Sequence, residues 1–184
     1  LLINTWAQKN QCTVVALTVN HNLRDNSLEE AKTVQTWMKN QHIEHHILTW
    51  NHDLITTGIQ KKARDARYEI LTSFCNQHAI QTICTAHHAA DQLETFLMRL
   101  SKGSGLEGLS VMKECSVWNH VTIARPLLSV QPDILKTYLQ SISQDYIEDP
   151  SNKNLKFERI QWRSFLNTMK EQGLFMQQFP QSLN

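Results

Sequence analysis

The run Thr13-Val14-Val15-Ala16-Leu17-Thr18-Val19 constrains the fold of this chain more than any other segment. It is β-branched or apolar throughout and does not alternate. Such a run reads as a strand covered on both faces, the signature of a parallel sheet between helical layers. The residues after it keep switching period. Ser27-Leu28-Glu29-Glu30 reads as a capping box opening a helix, with Leu28, Ala31, Val34 and Met38 at helical spacing. Residues 43–50 read as a second strand. Residues 57–77 form a long helix with Ile59, Ala63, Ala66, Ile70 and Phe74 inward. A third strand follows at 80–85, a helix at 86–100, and a fourth strand at 121–127 that ends on Arg125-Pro126. Pro132 suits the first turn of another helix, with Ile134, Leu135, Tyr138 and Leu139 inward. A short helix at 1–8 and a last one from about Lys156, after a loop at 148–152, complete the pattern. This alternation predicts an α/β fold, a doubly wound parallel sheet with helices on both faces. At 184 residues the chain is expected to be a single domain, 1–184.

Composition narrows the function classes. A net charge of +1 offers no global basic field, so any nucleic-acid contact must come from local patches. Cys12, Cys75, Cys84 and Cys115 show no C-x-x-C spacing. They read as reduced cytosolic thiols, with neither a disulfide frame nor a zinc site. No apolar run is long enough to span a membrane and no signal-peptide pattern is visible, so a cytoplasmic location with no membrane partner is expected.

Residues 84–112 carry the chemistry, packing two histidines, an acidic pair and three of the five glycines into one block. On a helix over 86–100, His87, Asp91 and Glu94 share one face, because three and four residues are the neighbour spacings. Leu93, Phe96, Leu97 and Leu100 form a separate core stripe. The acidic face lies just past a strand's carboxyl end, where open α/β sheets bind ligands. Acids complementing the helix dipole explain it equally well. Functionally, carboxylates at i and i+3 suit Mg²⁺ with substrate phosphates; a His-rich hydrolase centre would need more ligands. Gly103-Ser104-Gly105-Leu106-Glu107-Gly108 matches G-x-G-x-x-G literally, but it follows a helix where the dinucleotide motif must follow a strand. A helix C-cap and a loop approaching a ligand both remain open for it. Lys61, Arg64 and Arg67 line one helix, and Lys156, Arg159 and Arg163 line another. Each stripe alone reads as a solvated face; together they suit a polyanion, since arginine offers phosphate a fork. Tyr68 and Trp162 could stack on unpaired bases, although core packing suits both. His42, His45 and His46 read as strand-edge residues without a metal.

Taken together, these segments resemble the tRNA(Ile)-lysidine synthetases, a branch of the PP-loop (N-type) ATP pyrophosphatases. The blocks are VNHNLRDNSLEEA (19–31), GIQKKARDARYEIL (58–71), TAHHAADQLETFLMRLSKGSGLEGLSVM (85–112), ARPLL (124–128) and YIEDPSNKNLKFERIQWR (146–163). The resemblance implies a parallel sheet with helices on both sides. It also implies ATP-dependent adenylation of the wobble cytidine C2 oxygen in the CAU anticodon of tRNA(Ile), followed by displacement of AMP by the L-lysine ε-amine. Carried over, Arg67, His87, Asp91 and Glu94 are catalytic. His21, Arg67, Gly103 and Gly105 bind ATP, Asp91 and Glu94 hold Mg²⁺, and Arg64, Arg159 and Arg163 contact the tRNA. A homodimer is left open. A sulfur-transferring PP-loop enzyme and a non-catalytic RNA-binding fragment are the alternatives. Two positions depart from the family pattern: Asn20 stands where an Asp is usual, and Ala90 precedes Asp91 where a second Asp is common. The family's Ser-Gly-Gly-x-Asp-Ser loop and first strand would precede Leu1, and its RNA-recognition domains would follow. The chain is thus expected to be a portion of a longer polypeptide, and by itself not to form AMP from ATP.

Overall fold

The computed structural model describes residues 1–53, 55–105, 107–148 and 158–173. They group into two compact units, one of residues 1–81 with 117–121, the other of 82–116 with those from 122 onward.

In the first unit, β1 (Val15–Asn20) and β2 (Glu44–Thr49) run parallel, with Val15 opposite Glu44 and Asn20 opposite Thr49. The crossover between them is α2 (Ser27–Asn40), which packs on both strands, and α1 (Leu2–Lys9) precedes β1. The strand was expected to be buried on both faces, yet Val15–Val19 are only half-buried. Among the described residues β1 has one strand neighbour, so part of its surface stays open. The capping box expected at Ser27 is absent. Asn26 is the N-cap, the Ser27 hydroxyl donates to the Arg24 carbonyl (2.8 Å), and Glu30 accepts a two-pronged bond from Arg24 (2.9 and 3.2 Å). A guanidinium fork outcompetes a backbone N–H for that carboxylate.

The long helix α3 (Ile59–Gln77) forms where expected, with a different inward face. Its buried stripe is Tyr68, Leu71, Thr72 and Cys75, while Ile59 is exposed and Ala63, Ala66, Ile70 and Phe74 are half-buried. Residues 117–121 explain the rotation. Trp118 stacks on Tyr68 (centroids 5.4 Å apart), and the Asn119 amide donates to Glu69 and Thr72 (2.8 and 3.3 Å). Tyr68 is therefore a packing residue.

β3 (Thr82–Cys84) and β5 (Val121–Ala124) pair in parallel, Thr82 opposite Thr122, and β4 (Cys115–Trp118) lies on the far side of β5; residues 117–121 of these strands and their turn group with the first unit, the rest with the second. The sequence reading contained no β4. Asn119 (φ 45°) and His120 (φ 66°) both lie in the left-handed region, the type I′ geometry that joins two strands through a two-residue turn. Val121 and Ile123 are fully buried, with Ala89, Leu93 and Leu128. Among the described residues the second unit also holds α4 (Ala89–Ser101), α5 (Pro132–Ser141) and α6 (Glu158–Glu171), with a 3-10 turn at Glu107–Leu109. Of the expected stripes, Phe96 and Leu97 are half-buried, and Leu100 and Ile134 are exposed. Leu93→Ala should cost about 2–5 kcal/mol, read as a lower urea midpoint at unchanged slope; a shift equivalent to under about 1 kcal/mol would show that the site collapses around the gap. Among the described residues no helix is long and apolar enough to cross a membrane.

Candidate functional site

The site residues read from the sequence divide between the units: His21, Arg64 and Arg67 in the first, His87, Asp91, Glu94, Gly103, Gly105, Arg159 and Arg163 in the second.

At the carboxyl end of β1 the chain turns sharply. The buried Asn20 side chain accepts the Asn22 N–H (3.0 Å), and Asn22 takes a positive φ. Asparagine does here what aspartate would do, since both accept through a side-chain oxygen. That turn delivers His21. Trp50 meets its ring edge-on (6.0 Å between centroids), and His52 donates from Nε2 to the His21 carbonyl (3.0 Å). The His21 Nδ1 is buried without a hydrogen-bond partner. Burial, then the charge of Arg67, then His52 push its pKa down, so at neutral pH it is an uncharged imidazole with a polar atom to offer. Arg67 is exposed on α3, and the Arg64 guanidinium lies 5.1 Å from the Tyr68 ring centre. A neutral imidazole and an aromatic wall suit a nucleotide base, and a nearby guanidinium suits its phosphates. Sequence reasoning missed Trp50 and His52; an aromatic at the strand end and a histidine two residues on were the available signals.

His21 and His45 also predict an acid response. His45 bonds Thr18 through Nε2 (2.9 Å), and burial, then His46, lower its pKa. Both folded-state values lie below the unfolded one, so below about pH 6.5 the unfolded chain binds the extra protons. Their stability contribution is complete above that pH and is lost as pH falls through the folded values. Melting temperature should therefore drop between about pH 7 and pH 5, and less steeply in a His21→Asn/His45→Gln variant. Parallel curves would refute the assignment.

In the second unit α4 starts at Ala89, three residues later than expected, so His87 precedes the helix. Its Nδ1 bonds the Thr85 hydroxyl (2.8 Å). His88 is the N-cap, and its backbone N–H donates to Asp91 Oδ2 (2.9 Å). Asp91 and Glu94 do share a face, one turn apart, but that face receives α6. Arg159 donates from Nη2 to Asp91 Oδ1 (2.7 Å) and from Nε to Glu94 Oε2 (2.5 Å). Arg163 donates from Nε to Glu94 Oε1 (2.7 Å) and from Nη2 to Oε2 (3.2 Å). Glu94 is 1% exposed, and the Glu94 hydrogen bonds are the largest influence raising the Arg163 pKa. The structure thus joins the expected metal pair to two of the expected tRNA contacts. For Mg²⁺ this donor set is a poor fit: every carboxylate oxygen already accepts an N–H, and two guanidiniums balance the two negative charges. Among the described residues no group of three His, Cys, Asp or Glu could hold a metal ion.

Gly103 takes φ 70° after α4, the Gly103 N–H donates to the Leu100 carbonyl (3.0 Å), and the Ser104 N–H to Arg99 (3.1 Å). This is the helix-ending bond pair that favours glycine. Gly105 has an ordinary backbone and open space beside it. The loop that follows is fastened to α4: Arg99 donates to the Gly108 and Ser110 carbonyls, and the buried Gln92 exchanges two hydrogen bonds with the Met112 backbone (2.8 and 2.9 Å). Gln92 and Arg99 escaped the sequence reading because a polar residue beside a core stripe looks solvated. Lys156 lies outside the described residues.

The model of the PP-loop domain matches residues 1–170, and the chain belongs to that family. Among curated proteins it is similar to the tRNA(Ile)-lysidine synthase of Wolbachia sp. subsp. Brugia malayi, 41% identical over 94% of this chain and 41% of that protein. Those of Orientia tsutsugamushi (41% identical over 92% of the chain) and Rickettsia felis (34% over 86%) are also similar. The chain spans 36–41% of the length of these three relatives. Among solved structures it resembles a U34-tRNA thiolase from Methanococcus maripaludis, with a TM-score of 0.79 at 14% identity, covering 99% of this chain and 64% of that one. That likeness shows the α/β fold expected from the alternating strands and helices.

Proposed function

We propose that the protein to which these residues belong ligates L-lysine to C2 of the wobble cytidine in the CAU anticodon of tRNA(Ile), in the cytoplasm and at the expense of ATP. The observation that carries this is the 41% identity over 94% of the chain to a tRNA(Ile)-lysidine synthase. In the first step the cytidine C2 oxygen attacks the α-phosphorus of ATP and pyrophosphate leaves. In the second the lysine ε-amine attacks C2 and AMP leaves. His21, uncharged and with Nδ1 unpartnered, is suited to hold the nucleotide. Arg67 would steady charge developing on the phosphates, with Arg64 beside it toward RNA. His87 and Asp91 stand at the entrance to α4, and Glu94 orients Arg159 and Arg163. Gly103 and Gly105 place the following loop. Residues 1–184 act as one catalytic domain, and any Mg²⁺ would arrive with the ATP phosphates instead of resting on Asp91 and Glu94.

The sulfur-transfer alternative needs an easily ionised thiol. Burial, and for Cys84 also the neighbouring Cys115, push the Cys75 and Cys84 thiols up, the opposite direction. The test uses the full-length protein with ATP, L-lysine and tRNA transcripts. AMP should appear with the CAU isoleucine tRNA and lysine together, and not with a methionine tRNA. Lysine-dependent pyrophosphate exchange without tRNA would overturn the reading, because that marks activation of the amino acid itself.

A further inference from the structure

The misfit between Asp91/Glu94 and a divalent cation has a positive counterpart. The pair is a seat for arginines. Arg159 and Arg163 each spend Nε and Nη2 on α4 carboxylates, and no hydrogen bond engages either Nη1 among the described residues. The two side chains remain about a third exposed, at 33% and 36%, while Glu94 beneath them is 1% exposed. A carboxylate held on one edge of a guanidinium fixes the direction of the other edge, which removes the rotamer freedom a long side chain otherwise loses on binding. The residues lie one helical turn apart on α6, so both free edges belong to one helix face.

We propose that Glu94 is a positioning residue: it takes no metal, and it holds the Arg159 and Arg163 guanidiniums with their Nη1 edges outward as a preset receptor for a phosphodiester of the RNA strand. Asp91 shares the work on Arg159. The identity of the anion rests on the proposed tRNA-modifying function; the seat itself rests on geometry alone.

Simple charge counting and positioning predict opposite signs for Glu94→Gln. Removing a negative charge should strengthen binding to a polyanion. Releasing two oriented guanidiniums should weaken it. The experiment measures binding of the full-length protein to the CAU isoleucine tRNA transcript by anisotropy across a salt series. Glu94→Gln should bind about tenfold more weakly, with the salt slope reduced by about one unit per released guanidinium. Glu94→Asp should recover part of the loss. Arg163→Lys keeps the charge without the fork, and should weaken binding with little effect on the melt, so the proposal stays testable if Glu94→Gln fails to fold. In a parallel measurement Mn²⁺ is the metal probe, followed by electron paramagnetic resonance in the absence of nucleotide. Its binding should be the same in wild type and Glu94→Gln. Tighter or unchanged tRNA binding by Glu94→Gln with the full slope, or a Mn²⁺ site that disappears with Glu94, would overturn the proposal. Equal affinity of the wild type for isoleucine and unrelated tRNAs would count against the proposed function only. The change in salt slope, measurable on any RNA, would still decide the role of Glu94.

Discussion

Alanine at both 159 and 163 is expected to destabilise the second unit by about 3 kcal/mol or more. Removing the partners of a buried charge typically costs about 3–5 kcal/mol, because the charge left behind is uncompensated. Glu94 is almost fully buried, so it falls under that rule. The arginines are each about a third exposed, and water screening at their outer ends places the expected cost in the lower part of the range. Against a typical domain stability of about 5–15 kcal/mol this is a large fraction. Each single substitution should cost less than half the double, since one guanidinium still serves Glu94 while the other is gone; neighbours of this kind are not additive. Chemical denaturation of the four proteins measures the set. A double variant within about 0.5 kcal/mol of wild type would mean that the ion-pair geometry contributes nothing to stability.

The largest functional effect is expected at Asp91. Asp91→Asn retains an oxygen for the His88 N–H but loses the charge that holds Arg159. On the proposed function, with Asp91 in the active centre of the full-length protein, tRNA-dependent AMP formation should fall by roughly 10²–10³, the usual loss when one oriented charge leaves such a centre. The circular dichroism spectrum should be unchanged. Turnover within a few-fold of wild type would reduce Asp91 to a helix-capping residue.

The helices and the parallel strands were legible because periodicity is a local property: three residues fix a face, and an unbroken run of seven β-branched or apolar ones fixes a strand. What stayed illegible depended on partners distant in sequence. The true inward face of α3 could not be read without β4, whose tip supplies Trp118 and Asn119. A signal for that hairpin existed in Asn119-His120 between two short apolar runs, but histidine in place of the usual glycine disguised the turn. Ser27 and Glu30 have the spacing of a capping box, but Arg24 captures the glutamate. The α4 N-cap formed at His88 with Asp91, outside the usual Ser/Thr pattern. In the candidate site, the i, i+3 spacing of Asp91 and Glu94 was correct, and so was the separation of that face from Leu93. Whether the acids met a cation or a guanidinium depended on α6, more than sixty residues downstream, and no local rule reaches that far. The glycine pattern alone fits a helix stop and a ligand loop equally; for Gly103 the backbone makes it a helix stop.

That same distance has a consequence for biosynthesis. Glu94 and Arg159 are 65 residues apart in the chain. At translation rates of about 5–20 residues per second, Arg159 is made some 3–13 s after Glu94. Helix formation takes microseconds or less, so α4 can form its turns long before the arginines that pair with it exist. During that interval the Glu94 carboxylate must remain in water, which keeps its face of α4 from closing. The ion pairs that cover Glu94 can therefore close only after the ribosome has delivered α6.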